Sequence, residues 1–286
     1  MTTLGVPVFS RYNKLERLLR QSEKHNGINK VIVGDNGKKN SSDPFYSGWD
    51  ITIEVVDLEH GVGVSAARNS IFKRADERLL LIDSDILLPP NINRLHRVLD
   101  EDETLGGVSG MIVEPETGKS FLTGANFKEL DNKLIKKALR SPKIDLVNGV
   151  AIYRADYISL PGLYRTSIIE DQSWDEEYNI HREHLDFFIS HWKESEWEFA
   201  TTPEVVFHHY PSMNTGYAKN IRRNEESIMS DNLYFLDKWE YESLNGFGNH
   251  IMSSGPNNHT DLERAVYHYQ KSGIKGLLRR GIKKIL

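Results

Sequence analysis

Residues Arg78 to Pro90 read RLLLIDSDILLPP, and no other stretch limits the fold as tightly. Leu79, Leu80, Leu81 and Ile82 are four consecutive apolar residues with no polar alternation, the pattern of a strand buried on both faces of a parallel sheet. Asp83 and Asp85 follow at once. Two carboxylates cannot enter a sheet interior without a large desolvation cost, so the strand must leave the core here, at the carboxyl edge where open α/β sheets bind ligands. At i and i+2 the pair can approach one hard cation and the phosphates it neutralises, or it can simply cap a polar loop. On this stretch alone both readings stand.

The preceding chain supplies three more strands and two helices. Leu4 to Phe9 is a buried strand, and Ser10 to Asn13 is the loop into a helix carrying Leu15, Leu18 and Leu19 on one face. Lys30 to Val33 is a second strand, ending on Gly34-Asp35-Asn36-Gly37, either a plain turn or an Asp at the sheet edge facing a nucleobase or ribose. Ile51 to Val56 is a third. It leads into His60-Gly61-Val62-Gly63-Val64-Ser65-Ala66-Ala67-Arg68-Asn69, whose glycines allow backbone to approach a ligand and whose Ser65 to Ala75 segment is a helix. Ala66 holds the third glycine position, so this is not the dinucleotide fingerprint. The β-α-β-α-β-α-β order predicts an α/β fold with a mostly parallel sheet flanked by helices.

Asn91 to Leu99 is the next helix, Gly107 to Val113 a strand, Ser120 to Phe127 an antiparallel return, and Ile144 to Tyr153 one further buried strand containing Asn148-Gly149. A helix over Glu183 to Lys193 puts Glu183 and Asp186 on one face, with Leu185, Phe188, Ile189 and Trp192 toward the core. The acids there are either capping residues or part of a site. Pro203 to Phe207 is a last strand ending in His208-His209, of which period two allows only one to face a common site. Asn220 to Trp239 and Asp261 to Lys271 read as helices, and Gly246 to Asn258 as a loop. Gly273 to Leu286 is a basic amphipathic helix suited to anionic lipid, to its own domain or to an oligomeric partner.

Composition removes whole classes of chemistry. With no cysteine among 286 residues there is no thiol nucleophile or thiolate-ligated zinc, and a metal site must use Asp, Glu or His. A net charge of −5 gives no electrostatic reason to expect nucleic acid. The N-terminus lacks a secretory pattern, no run approaches a membrane span, and the expected location is cytoplasmic, peripheral to the membrane face if the basic helix docks there.

Taken together these residues resemble an inverting glycosyltransferase of the GT-A fold, family 2 type. Val6-Pro7-Val8-Phe9-Ser10-Arg11 is similar to its first strand and nucleotide loop, Val33-Gly34-Asp35-Asn36 to the second strand with its base-contacting Asp. The His60 to Asn69 segment resembles the family's N-x-G-x-x-x-A-R-N helix entry, and Leu81-Ile82-Asp83-Ser84-Asp85 its DxD motif. Trp174-Asp175-Glu176 through Glu183-His184-Leu185-Asp186 is similar to F-D-E…E-D-x-D, and Val205-Val206-Phe207-His208 to the late strand whose histidine completes a metal site.

The resemblance implies a catalytic domain over residues 1–212, with a nucleotide-sugar half to about 115 and an acceptor half beyond it, followed by a helical extension over 213–286. It implies transfer from a nucleotide sugar, UDP-linked, to a hydroxyl of a glycan or lipid-linked acceptor, by a hexosyl- or N-acetylhexosaminyltransferase. Pro7, Phe9, Arg11, Asp35, Asn36, Gly61, Arg68, Asp83 and Ser84 are then the expected donor-binding residues, and Asp83, Asp85 and His208 the ligands of Mn²⁺ or Mg²⁺. Trp174, Tyr178, Asn148 and Gly149 fall to acceptor or sugar. Where the family reads Glu-Asp, with Asp as general base, this chain has Glu183-His184, so the base is expected at Glu183, then His184, then Asp186. His184 in that position also allows a non-catalytic sugar-nucleotide or glycan binder. A nucleotidyltransferase would need a glycine-rich loop where Ser10-Arg11-Tyr12-Asn13 stands.

Overall fold

Four strands with apolar residues on both faces form the parallel half of the sheet, in a computed structural model that describes residues 2–178, 181–211 and 225–254. They are β1 (Thr2–Val8), β2 (Ile28–Asp35), β3 (Thr52–Asp57) and β4 (Arg78–Leu81), adjacent in the order β3-β2-β1-β4. Leu80 and Ile82 join the hydrophobic cluster on one face, while Leu79 and Leu81 join the cluster on the other. The tetrad is therefore buried on both sides, as its unbroken apolar run requires.

Helices cover the two faces. α1 (Tyr12–Glu23) buries Leu15, Leu18 and Leu19, the 3.6-residue stripe. α2 (Val64–Phe72) packs Ala67 and Ile71 so closely on β2 that a Cβ at Gly34 would stand 3.0 Å from the Ala67 carbonyl oxygen. β5 (Ile86–Leu87) and α3 (Asn93–Glu101) then lead to β6 (Leu105–Glu114).

The second half of the chain builds around β6. β7 (Lys119–Leu130) and β8 (Lys133–Ala138) form a long antiparallel pair. β9 (Asp145–Val147), β10 (Val150–Arg154), β11 (Tyr157–Ile158) and β12 (Gly162–Arg165) follow, then α4 (Ile168–Asp171), α5 (Glu183–Glu194) and β13 (Glu198–His209). β12 lies antiparallel between β4 and β6, and β13 runs parallel to β6. Of the seven strands β3-β2-β1-β4-β12-β6-β13, all but β12 therefore point the same way.

Two sequence expectations are corrected. Ile144 to Tyr153 is not one strand, because Asn148 (φ 46°) and Gly149 (φ 73°) make the two-residue turn of the β9-β10 hairpin. The loop expected from Gly246 is also replaced. After α6 (Glu225–Lys238), β14 (Ser243–Phe247) adds parallel to β8 and β15 (His250–Ser254) antiparallel to β7. Both strands supply hydrogen-bond partners to edges that β7 and β8 would otherwise leave open. The extension is thus helix and sheet together. Among the described residues no helix is long and apolar enough to cross a membrane. Asp261 to Lys271 and Gly273 to Leu286 lie outside them.

Candidate active site

β4 ends three pairs before its neighbour β1 does, since Leu81 pairs with Gly5 whereas β1 continues to Val8. The shortfall opens a notch at the carboxyl edge, into which Asp83-Ser84-Asp85 turn. Asp85 is almost fully buried there and forms an ion pair with Arg11, the residue that caps α1. His209 Nε2 lies 3.6 Å from the same carboxylate, and its Nδ1 donates to Glu114 Oε1 at 3.1 Å. Burial alone would raise the Asp85 carboxyl, but His209 and Arg11 outweigh it and hold it below the usual carboxylate range. For His209 burial pulls the other way, and Asp85 with Glu114 lifts the imidazole above its ordinary value.

His208, the expected metal ligand, is exposed instead. The pairing of β13 with β5 matches His209 to Ile86 and His208 to Leu87, and Tyr210 N donates to the Asp85 carbonyl at 2.9 Å. That register turns His209 to Asp85 and, by alternation, His208 away.

On the other side of the notch Arg68 joins three expected residues. Its guanidinium is 3.3 Å from Glu183 Oε1, 3.8 Å from Asp83 Oδ1 and 4.4 Å from the centroid of the Trp174 ring. Glu183 opens α5, and burial pushes its carboxyl up, against the opposing pull of Arg68. His184 lines the same cleft but is poorly suited to take a proton. Its Nε2–H donates to the Ile158 carbonyl at 3.0 Å, so Nδ1 carries the lone pair, and burial followed by Arg68 pushes the imidazole down to about 3.

Asp186 faces elsewhere. Its carboxylate accepts from the Tyr178 hydroxyl at 3.0 Å, Trp239 Nε1 at 2.7 Å and Lys238 Nζ at 2.9 Å, which ties α5 to α6. A catalytic role for Asp186 is therefore replaced by a structural one. Asp186→Ala removes the partner of the buried Tyr178 hydroxyl and of the half-buried Trp239 Nε1, while Lys238 keeps Asp175, and is expected to lower stability by about 2 kcal/mol in urea denaturation. Trp174 and Tyr178 are likewise core, not stacking platforms, each 2% exposed or less. Trp174 stacks on Phe187, at 4.2 Å and 4°, and also carries Arg68 over its ring.

Arg11, Arg68 and Asp83 apart, the residues expected to bind a donor lie near the ends of β1 and β2, outside the cleft lining. Asp35 is fully buried, accepting from Tyr12 (2.9 Å), Tyr46 (2.5 Å) and the Gly37 amide (2.8 Å). A side chain at Gly37 would meet the Phe9 carbonyl oxygen at 1.9 Å, so only glycine closes this corner. Asn36 Nδ2 donates to Gly63 O and Asn36 O accepts from Gly61 N, fixing the loop over which Phe9 and His60 stack at 5.2 Å. Pro7 and Ser84 are buried. Asn148 and Gly149 sit at the exposed hairpin turn beside Arg97, away from the cleft.

The cleft has a volume of about 290 Å³ and is lined by Arg11, Arg68, Asp83, Asp85, Glu183, His184 and His209. Much of its remaining wall comes from residues that the sequence did not mark as site residues, among them Phe121 and Thr123 of β7, Tyr157 of β11, Ser159, and Asn249 and His250 at β15. Strand pairing brings them here, Tyr157 opposite Ala125 and, from much farther along the chain, His250 opposite Thr123. Among the described residues no three His, Asp or Glu side chains converge as a ready cation cage.

A profile of the family described as Glycosyl transferase family 2 matches residues 3–159, more than half of the chain. No curated protein matches it in sequence. Among solved structures, GalNAc-T7 with UDP, GalNAc and Mn²⁺ superposes at a TM-score of 0.59 and 13% identity, over 84% of this chain and 50% of that one. Residues 1–349 of TarS from S. aureus with UDP-GlcNAc superpose at 0.50 and 15%, over 83% and 67%. At such identities the likeness is one of fold, and it bears out the mixed, mostly parallel GT-A sheet. The chain spans about half the length of the GalNAc-T7 chain and two thirds of the TarS one.

Proposed function

This chain belongs to glycosyl transferase family 2, and on that premise we propose that it transfers a sugar from a UDP-sugar to a hydroxyl of a glycan or lipid-linked acceptor, with inversion. The observation that carries the reading is the meeting of Arg11, Asp85 and His209 with Glu183 and Arg68 in one cleft at the carboxyl edge of the sheet. Positive charge for a departing diphosphate and a buried carboxylate for an incoming hydroxyl are the two things such a displacement needs.

In this reading the acceptor oxygen attacks the anomeric carbon, the bond from that carbon to the diphosphate oxygen breaks, and the hydroxyl proton passes to Glu183. Arg68 holds the Glu183 carboxylate in place and opposes the upward push of burial on it. Arg11 supplies charge beside Asp85 for the diphosphate. Asp85 and His209, one oxygen and one nitrogen donor 3.6 Å apart, are the residues that would hold Mn²⁺ or Mg²⁺. When bound, such an ion neutralises charge on the leaving group. The two superposed structures, one holding UDP, GalNAc and Mn²⁺ and the other UDP-GlcNAc, support a uridine donor, a cation and an N-acetylhexosamine.

Calorimetric titration of UDP with Mn²⁺ and with EDTA, followed by hydrolysis assays on UDP-GlcNAc, UDP-GalNAc and UDP-glucose, tests the reading. The expected result is cation-dependent UDP binding and slow hydrolysis of at least one donor. Binding without hydrolysis or transfer of any donor favours a binding protein, and no UDP binding under either condition removes the reading.

A further inference from the structure

Five aromatic rings line the cleft, Phe121, Tyr157, His184, His209 and His250, and three of them are already committed. His209 is held by Asp85 and Glu114. His184 and Tyr157 meet edge to face at 5.1 Å, and each packs in turn on Phe188, at 5.0 and 5.5 Å. Phe121 and His250 are left. Their centroids are 4.8 Å apart with planes inclined at 42°, and among the described residues the ring that each of them meets is the other.

Strand pairing holds the two rings in place. Alternation on β7 turns Phe121 and Thr123 to the cleft, while Leu122 between them is fully buried on the opposite face. β15 sets His250 directly across from Thr123, whose hydroxyl lies 3.2 Å from the histidine Nδ1, and the Gly124 amide donates to the Asn249 carbonyl at 2.9 Å. With Nδ1 occupied and the ring laid against Phe121, His250 serves the cleft as a surface. It is exposed and Phe121 is half-buried, so the pair presents aromatic area inside a concave site, which a ligand can take out of water. The charged lining is of another kind. Asp83 and Asp85 stand at the end of β4, and β6 and β12 separate β4 from β7 in the sheet. A pyranose ring is amphipathic in the matching sense, since its hydroxyls suit charged partners and its C–H faces suit an aromatic ring.

We propose that Phe121 and His250 form the platform on which a pyranose ring of the acceptor stacks, so that the unit receiving the sugar is itself a ring sugar and not an open-chain polyol or a bare lipid alcohol. Assigning the ring to the acceptor rests on the glycosyl-transfer reading; the sugar platform itself does not. The competing occupant is the sugar of the donor, which is tethered to the diphosphate at the Asp85 and Arg11 end, beside β4.

The test is saturation-transfer NMR on protein loaded with UDP and Mn²⁺, for the wild type, Phe121→Leu and His250→Asn. The probes are the methyl β-glycosides of glucose, galactose, N-acetylglucosamine and N-acetylgalactosamine, with ribitol as the open-chain control. Leucine keeps apolar volume without a ring face, and asparagine keeps a hydrogen bond to Thr123 while deleting the imidazole. At least one glycoside should receive saturation at its ring C–H protons from the wild type and bind each variant about tenfold more weakly, with UDP affinity and donor hydrolysis within about twofold. Phe121→Tyr, which keeps the ring, should bind it as the wild type does. Should one variant fail to fold, the other carries the same comparison. No glycoside binding to the wild type, binding unchanged in the folded variants, or ribitol held as tightly as the best glycoside overturns the platform. A raised KM for donor hydrolysis in both variants gives the rings to the donor sugar and overturns the acceptor assignment. If the wild type neither binds UDP nor hydrolyses a donor, the glycosyl-transfer reading fails, and titration of the glycosides into unliganded protein still decides the platform.

Discussion

Replacing Asp85 by alanine is expected to reduce transfer by about 10³-fold, because the variant loses the one buried carboxylate at the diphosphate end of the cleft. The loss reaches beyond one ligand. Arg11 and His209 are both oriented by Asp85, and Glu114 alone would remain to hold the imidazole. Without the carboxylate, Arg11 is free to leave the notch and His209 swings on one partner. Asp85→Asn separates charge from shape, since the amide can keep a contact with Arg11 but cannot neutralise a cation. We expect it to retain the fold, by circular dichroism, and to lose most Mn²⁺-dependent enhancement of UDP binding. Full transfer with full metal dependence in Asp85→Ala would place the reacting diphosphate somewhere else.

Glu183→Gln should give the second largest effect, a fall in kcat of about 10²–10⁴-fold with UDP affinity nearly unchanged. Glutamine preserves the side-chain outline and a hydrogen bond from Arg68 but cannot accept the proton. The pH profile makes the assignment sharper. A base must be ionised to act, and burial lifts the Glu183 carboxyl above its usual range. Activity should therefore rise with pH through that elevated value and level off above it, and fall as acid protonates the group. Arg68→Met removes the opposing charge and should move the rising limb to still higher pH. Retention of kcat within about threefold in Glu183→Gln would exclude it as the base.

Much of the architecture was legible because its signals are local. The Leu79 to Ile82 tetrad, the Leu15, Leu18 and Leu19 stripe and the Asp83-Ser84-Asp85 exit each follow from a short run of residues, and each stands where its pattern requires. What the sequence withheld depends on register and on distant partners. Period two says that one of His208 and His209 faces the site, but only the pairing of β13 with β5 decides which. Trp174 and Tyr178 are large amphipathic rings in an acidic segment, a pattern that fits a sugar platform or a core equally well. Packing against α5 and the Asp186 network decided for the core. The Asn148-Gly149 dipeptide is a local hairpin signal in its own right, and reading through it as continuous strand was an avoidable error. Tyr157, Asn249 and His250 could not have been picked out, since nothing near them in the chain indicates that β7 brings them together.

The late arrival of β15 also bears on the order in which the molecule is made. Cleft residues run from Arg11 to His250, and Asn249 and His250 reach their places only when β15 pairs with β7. Domains generally fold from the amino end as they leave the ribosome. The parallel strands β1 to β4 can form while the chain is still growing, yet the notch they create keeps an open side until β15 has emerged. Completion of the pocket thus waits on β15, and a ribosome that stalls between β4 and β15 leaves a sheet with its carboxyl edge built and its far wall missing.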